Sequence, residues 1–210
     1  MPPQKLIDQL ARQLSNGFKV WKSPHGGRTL LLWDVANDLQ AGFNIDKGKT
    51  RGAWIEVVDI GVRIPTVEDF YDRYEIYTLR EMGARNPKPA GWLTFWRPTH
   101  SSRELEERGL KVDAIQEDFA ELYERIAGDP VEFRTRTLDL LCEARRPDWA
   151  TEPGSAFLIM KALVARTLRD PEIDACDQVA DLLKNEPVIE GYMINIERFC
   201  AWLRSDRHGS

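Results

Sequence analysis

Apolar and polar positions alternate along this chain in two rhythms, and the change between them falls near Pro98. Before it lie four short aromatic-studded runs, Phe18–Lys22, Arg28–Val35, Leu39–Asp46 and Trp54–Ile64. They are separated by the turn tracts Ser23-Pro24-His25-Gly26-Gly27, Ala36-Asn37-Asp38 and Lys47-Gly48-Lys49-Thr50-Arg51-Gly52. Such tracts are too short to hold the crossover helices that parallel strands need, so the runs predict an antiparallel meander. In the third run Leu39, Ala41, Phe43 and Ile45 share one face, while Gln40, Gly42, Asn44 and Asp46 share the other. That alternation predicts a sheet with one wet face. The second run is apolar on both faces (Leu30 and Leu32; Leu31, Trp33 and Val35) and is expected to be central and covered. In the fourth, the apolar parity shifts from Ile55 and Val57 to Val58, Ile60 and Val62, which predicts a bulge near Val57–Val58. Gly91–Arg97 adds a fifth strand that Pro98 should stop.

The helical rhythm occurs twice before Pro98 and dominates after it. Leu6, Ile7, Leu10 and Leu14 mark an amphipathic N-terminal helix. Thr66 reads as an N-cap, and Phe70, Tyr74 and Tyr77 share a helical face to about Met82, although Tyr74–Leu79 also reads as a strand. After Pro98 come a short charged segment, Ser101–Gly109, then Asp113–Ala127 and helices over about 131–145, 154–169, 172–185 and 189–204. Arg146-Pro147, Asp170-Pro171 and Glu186-Pro187 separate them. In 154–169, Ala156, Phe157, Leu158, Ile159, Met160, Ala162, Leu163, Val164 and Ala165 make the helix apolar most of the way round, predicting the centre of the helical half. The fold class is therefore α+β: a four- to five-stranded antiparallel meander with flanking helices, followed by an all-helical C-terminal half. Residues 1–98 form the sheet part and 99–210 the helical part packed on it, as two units or one continuous domain.

Composition adds compartment and partner. Hydrophobic residues make up 42% and charged residues 30% of 210, an ordinary globular balance that can bury a core. No apolar run approaches the roughly 18 residues needed to span a bilayer, and Met1–Asp8 has no apolar signal core, so no membrane role and no secretion are expected. Cys142, Cys176 and Cys200 are odd in number, unpaired in spacing and on apolar helical stripes, which predicts buried thiols in a reducing cytoplasm. The net charge of −5 argues against nonspecific nucleic-acid binding. It is unevenly placed: residues 1–65 carry +3 and the remainder −8, so an acidic second half suits a basic partner.

Chemical motifs are scarce. Gly48-Lys49-Thr50 approaches a phosphate-binding loop, but Phe43 stands where the first glycine is required and a strand follows Thr50 instead of a helix. His25, His100 and His208 lack ligand-spaced partners, so no metal site is expected. No cofactor and no nucleophile elbow are expected either. Two carboxylate rows stand out: Asp170, Asp174 and Asp177; and Glu68, Asp72 and Glu75, with Asp69 adjacent. Either would line one helix face, for which a plain solvated face is the alternative to a metal or acid–base site. Tyr71 and Tyr74 interleave with the second row, making Glu68, Tyr71, Asp72, Tyr74 and Glu75 a candidate surface for a basic protein partner. The competing reading packs those tyrosines onto the sheet. Trp92, Thr94 and Trp96 alternate with Leu93, Phe95 and Arg97 and are read as core, because a base-stacking platform would need more surrounding Lys and Arg.

The order Gly17-Phe18-Lys19, Arg28-Thr29-Leu30, Gly61-Val62-Arg63-Ile64-Pro65 and Gly91-Trp92 resembles an uncharacterised bacterial α+β family. It is a domain of unknown function found near polymorphic toxins and regarded as immunity-like. The resemblance covers roughly residues 5–97 and implies toxin neutralisation without assigning residues to it. The function expected is a non-enzymatic cytoplasmic binding module of this kind. Two other classes stand beside it: an enzyme with a motif-less carboxylate, Tyr or Arg site, and a structural subunit of a larger assembly. The sequence is silent on oligomeric state.

Overall fold

In a computed structural model of the chain, residues 19–22, 28–50, 53–89, 91–101 and 112–208 are described. Strands β1 (Lys19–Lys22), β2 (Arg28–Ala36), β3 (Leu39–Thr50), β4 (Ala53–Arg63) and β5 (Phe95–Ser101) form one antiparallel sheet, in the spatial order of the chain. Helices follow: α1 (Pro65–Glu81) between β4 and β5, then α2 (Val112–Ala127), α3 (Pro130–Cys142), α4 (Ser155–Arg169), α5 (Val179–Asn185) and α6 (Glu190–His208). The molecule is α+β, a five-stranded meander followed by a helical C-terminal half. The expected N-terminal helix, the Ser23–Gly27 turn with His25, and the Ser101–Gly109 segment beyond Ser101 lie outside the described residues.

Register explains the core. Ala41, Phe43 and Ile45 stand opposite Val62, Ile60 and Val58, and all six are buried on one face. Helix α2 covers that face with Leu122 and Ile126, and its Phe119 ring lies 4.6 Å from Phe43. The face predicted to be wet is also covered. Gly42 opposes Gly61, and Asn44 opposes Asp59, its amide donating to the carboxylate at 2.7 Å. Cross-strand register thus gives the buried Asn44 amide N–H an acceptor, while its Oδ1 stays buried without a partner among the described residues. Leu30, Leu32 and Leu93 pack with Trp96 on this second face. Gly61 makes room for them: a Cβ there would stand 2.2 Å from the Phe95 carbonyl oxygen and 2.8 Å from Trp96 Cβ.

Several expected boundaries move for identifiable reasons. Gly48, Lys49 and Thr50 pair with Ile55, Trp54 and Ala53, so the supposed turn tract is continuous ladder up to residue 50. The β3–β4 register runs unbroken through Val57 and Val58. The irregularity is on β5, where Val58 pairs with His100 and Asp59 with Pro98, leaving Thr99 as the extra residue. Strand β5 therefore continues past Pro98 instead of stopping there, as proline can at a sheet edge. Residues 74–79 belong to α1, whose N-cap is Ile64 and not Thr66. Asp38, at φ +56° in the β2–β3 turn, accepts from Thr66 N at 2.7 Å and Thr66 Oγ1 at 2.8 Å. A remote carboxylate thus serves the orphan donors of the first turn. Arg134 Nε of α3 donates to the same carboxylate at 3.1 Å, tying sheet, α1 and α3 together.

Helix α4 is the centre of the helical half, packed against α1, α3, α5 and α6. The predicted helix over 172–185 divides into a 3₁₀ turn, Ala175–Gln178, and α5. Asp174 caps that turn by accepting from Cys176 N at 3.0 Å, so Asp170, Asp174 and Asp177 do not form a helical row. Asp174 and Asp177 instead pair with Arg204 at 2.6 and 2.7 Å.

Candidate functional site

Helix α1 divides the expected acid–tyrosine surface between core and edge. Pro65 starts the helix, and its one-turn spacing turns Val67, Glu68 and Tyr71 inward against α4. Glu68 is 0% exposed and lies 2.8 Å from the Lys161 ammonium of α4, itself 1% exposed. Lys161 also donates to the Leu93 carbonyl at 2.6 Å, with the Trp96 and Tyr71 rings at 5.5 and 5.9 Å from its nitrogen. Burial pulls the Lys161 ammonium below its ordinary range, against the opposing pull of Glu68. Tyr71 is buried and stacked at 6.1 Å on Phe199, and Tyr74 is half-buried against Phe199 and Trp202. Burial also raises the Tyr71 hydroxyl well above its usual range. Asp72, Tyr74 and Glu75 are half-buried, and Asp69 is exposed. Glu68 and Tyr71 are therefore not surface for a partner: their helical phase points them at the helix that carries the compensating lysine.

Asp72 lies beside this pair. Its carboxyl is raised to about 7, first by burial and then by the Glu68 charge, with Arg63 at 3.8 Å pulling the other way. Arg63 is closer to Asp69, at 2.6 Å. The cluster is a sealed charge network that a substrate cannot enter at Glu68 or Lys161.

The accessible site lies one turn away on the same face of α4. Phe157 precedes Lys161 by four residues, yet it is 39% exposed. With Trp92, Trp96, Val188, Ile189 and Tyr192 it lines a cleft of about 460 Å³ between β5, the start of α4 and the start of α6. The Trp92 ring lies 5.6 Å from Phe157 and 6.0 Å from Trp96. Ile189 and Tyr192 are 75% and 55% exposed, so large apolar side chains gather where the surface is concave. The wall is held from behind. Trp96 N donates to Glu152 O at 3.2 Å and Glu152 N returns a bond to Trp96 O at 2.9 Å, extending the sheet edge by one bridge.

Beneath the cleft, Arg146 holds Glu186 in a two-pronged pair at 2.9 and 3.0 Å and donates to Pro153 O at 2.8 Å. Ser155 Oγ donates to the same Glu186 carboxylate beside the N-terminus of α4. Burial pushes Glu186 up, but the bonds from Arg146 and Ser155 outweigh it and hold the carboxyl below its usual range. That end of α4 is therefore already supplied with an anion. Glu152 is different: it is the one acidic residue among the described lining of the cleft, and no described cation pairs with it. None of the described lining residues is Lys, Arg or His.

A second cleft, of about 590 Å³, carries Arg125, Arg136, Arg145 and Arg146. Each is paired with a carboxylate: Glu121, Glu132, Glu143 and Glu186 respectively. Its charge is spent internally.

Among the described residues no group of three or more His, Cys, Asp or Glu is placed to hold a metal ion, and no helix is long and apolar enough to cross a membrane. Cys142, Cys176 and Cys200 are buried free thiols. Comparison of the chain with protein-family models, curated proteins and solved structures finds no match. The cleft itself is not foreshadowed by any motif. The available signals are a lone Lys161 inside an apolar helix and two tryptophans, Trp92 and Trp96, flanking a strand start.

Proposed function

We propose that this protein is a cytoplasmic, non-enzymatic protein-binding module whose contact site is the cleft formed by Trp92, Trp96, Phe157, Ile189 and Tyr192. The observation that carries this reading is the gathering of exposed Phe157, Ile189 and Tyr192 on one concavity backed by two tryptophans. Aromatic anchors in a pocket are the side chains that dominate protein–protein affinity. Three buried free thiols accord with a reducing compartment. The N-terminal resemblance suggests a toxin as the partner, and a basic one suits the acidic second half.

The test is retention of candidate basic toxin domains by the immobilised protein. Phe157→Ser/Tyr192→Ser should abolish retention, while Val131→Ser, which removes a more exposed apolar side chain outside the cleft, should leave it intact. Equal loss with both variants, or with neither, would remove the cleft from the interface.

A second reading, an enzyme using carboxylates with Tyr or Arg, draws its support from Asp72, whose carboxyl lies at about 7. Against it, Asp72 does not line the aromatic cleft, and its acidic neighbour Glu68 is sealed.

A further inference from the structure

We infer that the aromatic cleft recognises an organic cation on an alkyl stem: a lysine, methylated lysine or arginine side chain presented by a protein partner. This rests on the cleft being the contact site. Three observations carry it. The cleft presents aromatic rings from three elements, with Trp96 on β5 and Trp92 just before it, Phe157 on α4 and Tyr192 on α6. Electron-rich ring faces attract a cation brought within about 6 Å, most strongly where water is excluded. Second, among the described lining residues the one charged side chain is Glu152, which no described cation neutralises. Third, the neighbouring electrostatics leave that role open. The N-terminus of α4, which would otherwise draw an anion, is served by Glu186, and Glu186 is matched by Arg146. Lys161, the nearest ammonium to Trp96 at 5.5 Å, is balanced by Glu68.

An uncharged apolar side chain would also fill the rings, but it would leave Glu152 desolvated without compensation. An anionic one would oppose it. The arginine-rich cleft elsewhere makes the contrast: its four arginines each have a carboxylate partner, whereas no described cation partners Glu152 here.

The experiment is a titration of the whole protein, followed by NMR of the tryptophan indole N–H signals, with four short peptides. They differ at one central residue: lysine, trimethyllysine, arginine, or the uncharged carbon isostere of trimethyllysine. Trp92→Phe and Trp96→Phe assign the two cleft signals. At least one cationic peptide should shift those signals and bind about fivefold or more tighter than the isostere, the size of one exposed cation–ring contact. Glu152→Gln should weaken the cationic peptide severalfold and leave the isostere unchanged, with circular dichroism confirming that the fold persists. Free tetramethylammonium should bind more weakly than the trimethyllysine peptide, because the stem and backbone are part of what the cleft takes. Equal affinity for cation and isostere would overturn the cation assignment while leaving the cleft as an apolar contact site. Insensitivity to Glu152→Gln would do the same, as would tetramethylammonium matching the peptide for a protein-borne side chain. If no peptide shifts the signals, the inference fails. The cleft reading itself fails separately, when partner retention survives Phe157→Ser/Tyr192→Ser.

Discussion

Phe157 and Lys161 lie four residues apart on one face of α4, yet their environments are reversed: the aromatic is 39% exposed and the lysine 1%. Around Lys161, Glu68, the Leu93 carbonyl and two ring faces answer its charge. Around Phe157, the cleft lining is an aromatic wall with a carboxylate, Glu152, that no described cation answers. Trp96 borders both regions, lining the cleft and standing 5.5 Å from the Lys161 nitrogen. The difference teaches where polarity serves structure and where it stays available. A buried charge with its partner in place is spent on the fold. An unmatched one beside exposed rings is free to meet a ligand.

The largest expected effect breaks the sealed side. Lys161→Ala leaves Glu68 buried without its cation and should cost about 3–5 kcal/mol in denaturant unfolding. The double variant Glu68→Leu/Lys161→Met should recover most of that loss, because a well-packed apolar pair replaces a buried ion pair with little penalty. A single variant as stable as wild type would show that the pair does not hold α1 to α4.

Next comes the shared residue. Gly61→Ala puts a methyl 2.8 Å from Trp96 Cβ and 2.2 Å from the Phe95 carbonyl oxygen. Overpacking of this kind costs about 1–3 kcal/mol and should displace the Trp96 indole signal together with stability. Loss of stability with an unmoved Trp96 signal would separate the two regions.

Asp72 makes the sealed side respond to pH. Its folded carboxyl, at about 7, lies above its unfolded value near 3.8. The folded state thus holds the proton longer, and stability contributed by protonated Asp72 is lost as pH rises from about 4 to 7. Asp72→Asn should match wild type at pH 4, gain on it up to pH 7 and then hold a constant advantage of about 1–2 kcal/mol, reduced by the group's partial exposure. A difference independent of pH would show that Asp72 does not titrate within this window.

The smallest stability effect belongs to the open side. Phe157→Ser and Tyr192→Ser remove side chains that are 39% and 55% exposed, so each should change unfolding free energy by no more than about 1 kcal/mol. Partner binding should nevertheless be lost. A collapse in stability would move Phe157 from the binding surface into the core.

Much of the fold was legible in short-range pattern. The alternation of Leu39, Ala41, Phe43 and Ile45 marked the core face of β3, and the apolar Ala156–Ala165 run marked the central helix. Boundaries were less legible where long-range contacts set them. Asp38 caps α1 from a turn 28 positions before Thr66, and Thr99 is extra in β5 because β4 runs on without a break. The candidate site was the least legible. Glu68, Tyr71, Asp72, Tyr74 and Glu75 share a helical stretch, but its phase sends Glu68 and Tyr71 to α4 and leaves Asp72 and Glu75 half-buried. The cleft draws on residues from 92 to 195, which share no local spacing.

By itself the sequence determined the antiparallel meander, the helical second half and the burial of the three cysteines, because periodicity and turn residues act over a few positions. It took the tertiary fold to turn Lys161 inward and Phe157 outward, to bring the Asn44 amide N–H to Asp59 on a face expected to be wet, and to set Glu152, with no described cation beside it, in the lining of an aromatic cleft. The reason is physical. Whether a charge is sealed or available depends on which group reaches it from another element, and that partner lies 93 residues away for Lys161 and is missing among the described residues for Glu152.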